Sequence, residues 1–191
     1  MNAPHMKGLP DRLDAGRTVL VVVDLQEKFR DIIHGMNQVL ANTERLIRFC
    51  QQLEIPIVTT EHYPHGLGAT VPEIRNLHRS FSVIEKIDFS CAGCAPFNQA
   101  INDLGRDQII LCGIEAHVCI YQTAFDMLRQ GKQVSVAVDA VSSCSAANRE
   151  IGLKRMSELG VQSMGTQMLM FEILGKAGTA QFKDVAGLLK E

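Results

Sequence analysis

No run of apolar residues approaches the roughly 20 that a membrane-spanning helix needs; the longest, around 19–23 and 109–114, are far shorter. Neither sign of charge dominates. With 19 Lys and Arg against 21 Asp and Glu, the formal net charge is -2, so no nucleic-acid partner and no anionic membrane surface is expected. The opening MNAPHMKGLPDRLDAGR has no apolar core followed by a small-residue cleavage site, which argues against a secretory signal and for a cytoplasmic protein. Six cysteines in 191 residues are too few for a disulfide-held scaffold. In a reducing compartment they are expected as buried thiols, metal ligands or nucleophiles. Internal repeats and low-complexity segments are missing as well.

The composition, 46% apolar and 21% charged, is that of an ordinary globular protein. The length supports one domain, read as 17–191 after a partly ordered lead-in over 1–16. Short aliphatic and β-branched runs recur at 19–23, 55–59, 108–112, 134–138 and 161–164. Most lack polar alternation, the pattern of strands in a parallel sheet covered on both faces. Helical spacing joins Leu40, Ile47 and Cys50, then Ala124, Met127 and Leu128, then Ile151, Met156 and Leu159. The alternation predicts a three-layer α/β/α, Rossmann-like fold with a central, mainly parallel sheet and ligands at the carboxyl ends of its strands. Gly131 and Gly160 mark helix ends, and Ser143 or Ser145 can cap the helix that follows. The stretch 63–72, with Pro and Gly in pairs, reads as one long loop.

Residues at strand ends are where chemistry is expected. Asp24 directly follows the first run and is a candidate base, or else an Asp that orders the next turn through backbone hydrogen bonds. Asp139 is read in the same post-strand place, with the structural role favoured. Cys119 falls in the first turn of a helix after the run 108–112, where the helix macrodipole favours a thiolate; a packed small residue is the competing reading. Cys112 and Cys50 read as core. Cys91 and Cys94 form CAGC, but no second CxxC or His pair accompanies them, so incidental thiols are preferred to a metal or redox pair. His62 and His65, with Glu61, could hold a metal or line a pocket rim, while His5, His34 and His78 read as surface residues. Lys86 means little alone. Beside Cys119 and Asp24, its ammonium would favour both a thiolate and a developing oxyanion.

These residues resemble the isochorismatase-like cysteine hydrolases, most closely the isochorismatase domain-containing branch. The resemblance runs from about Arg17 to Leu189 and rests on VVVDLQEKF (21–29), TTEHYPHGLGATVPEI (59–74), EKIDFSC (85–91) and LCGIEAHVCIYQTAFDML (111–128). It implies a Cys-Asp-Lys triad of Cys119, Asp24 and Lys86 in an oligomer-forming fold. It further implies a cis peptide between Ile114 and Glu115, with the backbone N–H groups of Glu115 and Cys119 as an oxyanion hole. Phe29 matches the family's pocket-lining aromatic, and Ile114, Tyr63 and His117 are added as pocket or rim residues.

Departures from the family pattern also bear on function. In the nicotinamidase branch, an Asp and two His after the second strand bind a metal, whereas Glu61 and Tyr63 stand at the corresponding positions here. Nicotinamidase activity is not expected. Ala116 replaces a common Thr, and Ala92 a common aromatic, so the pocket differs. The expectation is a cysteine-dependent hydrolase of a small carbonyl compound, an amide cleaved through a thioester. No cofactor and no metal is assigned, and a homo-oligomer is expected. The alternatives are a catalytically weak binding or scaffold protein of the same fold, and a thiol redox protein using Cys91 and Cys94.

Overall fold

The computed structural model describes residues 10–189. Its centre is β1 (Thr18–Val23), whose six residues TVLVVV are all buried. Every second side chain of a strand points to the same face, so Leu20 and Val22 enter one apolar layer while Val19, Val21 and Val23 enter the other. Full burial of each such side chain contributes about 1.5–3 kcal/mol. That two-sided demand is why the strand carries no polar alternation.

Around β1 the chain adds α1 (Met36–Gln52), β2 (Ile57–His62), β3 (Ile84–Lys86), α2 (Ala95–Asp103) and β4 (Gln108–Ile114). There follow α3 (Tyr121–Arg129), β5 (Gln133–Ser142), α4 (Ala146–Glu158), β6 (Gln162–Met164), α5 (Thr166–Leu174) and α6 (Ala180–Val185). The six strands form one sheet in the order β3-β2-β1-β4-β5-β6, every pair parallel. Helices α1, α5 and α6 supply the layer that receives Leu20 and Val22. Helices α2, α3 and α4 supply the opposite one. The expected three-layer α/β fold is therefore present.

Several expectations change in detail. Strand β3 has no counterpart among the apolar runs, because three residues are too few to show a pattern, and the second strand lies later than 55–59. The stretch 63–72 is not a plain loop: it holds single helical turns at Pro64–Leu67 and Pro72–Arg75, each started by its proline. Asp139 lies inside β5, not after it, where the β4–β5 register shifts. Its carboxylate accepts from the N–H and hydroxyl of Thr166 at 2.8 Å each and so anchors the start of α5. Ile151 is 64% exposed, so its helical spacing with Met156 does not mark the buried face. Ser145 caps α4, accepting from the Asn148 N–H. His34 is exposed as expected, but His78 is half-buried against Phe81; His5 lies outside the described residues. Cys50 and Cys112 are core residues in the layer of α1.

The strand order reverses between β1 and β4: the chain runs outward to β3 on one side and to β6 on the other. The carboxyl ends of β1 and β4 therefore form the switch point where open α/β sheets receive ligands. At that point Gly113 pairs with Val23 at φ +112°, and a Cβ there would sit 2.0 Å from the Val23 carbonyl oxygen. Only glycine fits. Gly113→Ala is expected to lower stability by about 3 kcal/mol, through backbone strain and overpacking; urea unfolding measures it, and an unchanged midpoint would contradict this packing.

Candidate active site

Three strands end at one point. Asp24 follows β1 with φ 54°, a left-handed conformation that turns its carboxylate back over the strand ends. Lys86 is the last residue of β3, two strands from β1. At a strand spacing of about 4.8 Å, the side chain needs to cross roughly 10 Å. A long flexible amine suits that span. It reaches across β2 so that Nζ lies 2.6 Å from Asp24 Oδ2, with the two side chains 0% and 2% exposed. Thr60 on β2 donates its hydroxyl to Asp24 Oδ1 at 2.7 Å. Both carboxylate oxygens are thus engaged, and the buried charges meet the requirement that such pairs be hydrogen-bonded as well as neutralised.

The Lys86 ammonium also lies 3.3 and 3.4 Å from the carbonyls of Asp88 and Phe89. An ammonium has three N–H donors, so all three have acceptors. Burial pulls its pKa down, but Asp24 and the neighbouring thiols of Cys91 and Cys119 more than offset that, and the net direction is up. Lys86 is a fixed cation.

Cys119 lies beyond β4 in a π-helical turn, Ala116–Ile120, that runs directly into α3. The Glu115 carbonyl accepts from the N–H groups of Val118 and Ile120 at 3.0 and 3.1 Å. The Ile114–Glu115 peptide is cis. Gly152 of α4 presses on this turn so closely that a Cβ would come within 2.8 Å of the backbone of Ala116 and His117. The turn is held between sheet and helix.

Asp24 and Cys119 share a cavity of about 70 Å³ with Phe29, His62, Phe89, Ile114, Glu115 and Val118. The structure therefore brings Asp24, Lys86 and Cys119 together. Phe29 and Ile114 line the cavity as expected, whereas Tyr63 and His117 do not. Tyr63 is 50% exposed, and His117 Nδ1 turns to the Ser143 hydroxyl at 3.0 Å. Thr60, Phe89 and Val118 join the site, the last two without a sequence signal of their own, and His62, read as a metal or rim residue, lines the cavity itself. One clue was available: Thr60 and His62 are two apart on β2 and so share a face. His62 stacks on Phe89, with ring centroids 5.4 Å apart. Burial and then the Lys86 ammonium hold its pKa below the usual histidine value, so a neutral imidazole faces the cavity at neutral pH.

The Cys119 thiol departs from expectation. Burial first, then the Asp24 carboxylate, push its pKa well up, and Lys86 only partly counters them. The helix-start position does not make a resting thiolate. Cys91 is fully buried, its thiol pushed up to about 11 mainly by burial, and Cys94 is buried and free. The CAGC segment thus offers no exposed dithiol. Glu61 is buried and accepts from the Thr70 N–H and hydroxyl at 2.6 and 2.7 Å, and His65 is exposed. Glu61, His62 and His65 form no metal-ligand group among the described residues.

The isochorismatase domain model matches residues 18–168. The chain belongs to the isochorismatase family. Among family relatives, mouse isochorismatase domain-containing protein 2B is 41% identical over 91% of this chain and 81% of its own. Human isochorismatase domain-containing protein 2 is 37% identical over 94% of this chain and 86% of its own. Two solved structures are similar. A Caenorhabditis elegans protein named MAR1 ribonuclease aligns with TM-score 0.88 and 34% identity, covering 94% of this chain and 92% of that one. The Escherichia coli YcaC product, described as an octameric hydrolase of unknown specificity, aligns with TM-score 0.87 and 21% identity, covering 95% and 92%. No described helix is long and apolar enough to cross a membrane.

The electrostatics give a signed prediction. Asp24→Asn removes a negative neighbour while Lys86 remains, so the Cys119 thiol pKa should fall. Thiolate ultraviolet absorbance against pH, with Cys119→Ser as the blank in each background, reads it. At a fixed pH below the pKa, a titration midpoint lower by about one pH unit means a tenfold rise in thiolate fraction; an unchanged or raised midpoint would contradict the arrangement.

Proposed function

We propose that the protein is a cysteine-dependent hydrolase that cleaves a small amide through a thioester. The observation that carries this reading is a thiol and a carboxylate lining one cavity at the switch point, with a buried ammonium paired to the carboxylate. Because the thiol rests protonated, it needs a base at the moment of attack. Asp24 takes the Sγ proton as Cys119 attacks the carbonyl carbon, and the C=O electron pair moves to oxygen. The N–H groups of Glu115 and Cys119 receive that oxyanion. Collapse breaks the C–N bond, the protonated Asp24 gives its proton to the leaving amine, and the thioester remains. Water, deprotonated by Asp24, then attacks the thioester carbonyl carbon; collapse breaks the C–S bond, and the protonated Asp24 returns its proton to Cys119 Sγ, which frees the acid and restores the thiol.

In this scheme Lys86 acts through charge. Its three donors are already matched to Asp24, Asp88 and Phe89, so it orients the carboxylate and offsets negative charge without bonding the oxyanion. The cavity favours a compact acyl group between Phe29, Phe89 and Val118. A homo-oligomer belongs to the same proposal, since the E. coli relative is octameric. The C. elegans relative is named a ribonuclease, but a net charge of -2 and a cavity floored by a carboxylate give a phosphodiester no electrostatic foothold.

The test is a screen of small aliphatic and aromatic amides for ammonia release, with RNA cleavage as a parallel arm. The proposal expects at least one amide to turn over, with kcat reduced on the order of 10⁴-fold or more in Cys119→Ala. Turnover that survives Cys119→Ala would overturn it. RNA cleavage with no amide released would replace it with a ribonuclease reading, and inertness in both arms with a binding protein of the same fold.

A further inference from the structure

Beside the nucleophile's turn lies a second set of reactive side chains that the hydrolytic scheme does not use, although one member, Glu115, borders the same cavity and lends the scheme its backbone N–H. Glu115, His117 and Cys144 each offer one ligand atom, and the three atoms lie within 4.8 Å of one another. The sheet explains why residues so far apart in sequence meet. Ile114 of β4 pairs with Ser142 of β5, so the residues just beyond both strand ends emerge side by side.

The local bonds hold the set in place. Cys144 N–H donates to Glu115 Oε2 at 2.7 Å, and Asn148 Nδ2 donates to Cys144 Sγ at 3.3 Å, the kind of outer contact that a metal-bound thiolate takes. His117 Nδ1 is 3.0 Å from the Ser143 hydroxyl and 4.0 Å from Glu115 Oε2. The Glu115 side chain is only 20% exposed, and among the described residues no lysine or arginine pairs with it. It is a largely buried carboxylate whose Oε2 faces the His117 imidazole. The seating of Gly152 on the backbone of Ala116 and His117 fixes the imidazole's attachment point.

We propose that Glu115, His117 and Cys144 form a binding site for a divalent cation of borderline softness, zinc above all. Thiolate, imidazole and carboxylate together suit that class better than magnesium or calcium, which take oxygen ligands. Zinc bonds of about 2.0–2.3 Å put tetrahedral ligand atoms roughly 3.3–3.8 Å apart. From separations of up to 4.8 Å the set needs to contract by up to about 1.5 Å, and exposed Cys144 is the member with room to move. On binding, the Cys144 S–H bond breaks, its proton goes to solvent, and the Ser143 hydroxyl releases Nδ1. Three protein ligands leave a fourth position for water. The bound cation ties the turn that carries Cys119 to the loop before α4.

Full-length protein freed of metal with a chelator is titrated with zinc against a chromophoric competitor, and separately with cobalt(II). The proposal expects one equivalent of zinc per chain and a thiolate-to-cobalt charge-transfer band. Cys144→Ser should abolish the band and weaken zinc at least tenfold, His117→Ala should also weaken zinc at least tenfold, and Cys119→Ala should leave both readouts unchanged. Absence of stoichiometric binding, or binding unaffected by Cys144→Ser and His117→Ala, overturns it. So does a band lost with Cys119→Ala, which would put the metal at the nucleophile; retention in that variant separates this site from the hydrolytic proposal.

Discussion

The ion pair between Lys86 and Asp24 is the constraint around which the carboxyl end of the sheet is arranged. Two opposite charges 2.6 Å apart and almost fully buried are tolerated only where every remaining donor and acceptor is matched. Thr60 completes the carboxylate, and the carbonyls of Asp88 and Phe89 complete the ammonium. The pair thereby ties β1 to β3 across β2, fixes the left-handed turn at Asp24, and holds the segment after β3 against the cavity. Removing one member would strand the other charge, at a cost of about 3–5 kcal/mol.

The same pair sets the character of the thiol. A carboxylate beside Cys119 disfavours thiolate, an ammonium favours it, and burial disfavours it most. The resting site is therefore better described as an acid–base couple in waiting than as a preformed nucleophile. In the proposed scheme, Cys119 becomes reactive only when a substrate lets the proton pass to Asp24. Burial likewise holds the Cys91 thiol pKa up.

Much of this is legible in the residues, and the failures have particular causes. The unbroken apolar run of β1 and its kin at 109–112 and 134–138 report a doubly covered parallel sheet, because two-sided burial removes polar alternation. Asp24 and Cys119 are identifiable because they follow apolar runs, and Lys86 through the motif EKIDFSC that carries part of the family resemblance. Strand β3 is hidden by its length and is recognised only through its partner β2. The places of His62 and Phe89 against the cavity depend on register and on the path taken after β3, which no local pattern encodes. Tyr63 and His117 turn away from it because sequence position near a site does not say which way a side chain points. The thiol's raised pKa cannot be read from a helix start, since burial and a neighbouring charge outweigh the dipole.

The most direct test of the central claim is to look for the covalent intermediate itself. Wild-type protein mixed with p-nitrophenyl acetate should release a burst of about one p-nitrophenolate per chain. Peptide mapping during the burst should then find the acetyl group on Cys119, decaying at the turnover rate. Hydrolysis that proceeds without acylation of Cys119, or with the acyl group only on another cysteine, would contradict the assignment of Cys119 as the nucleophile and Asp24 as its base.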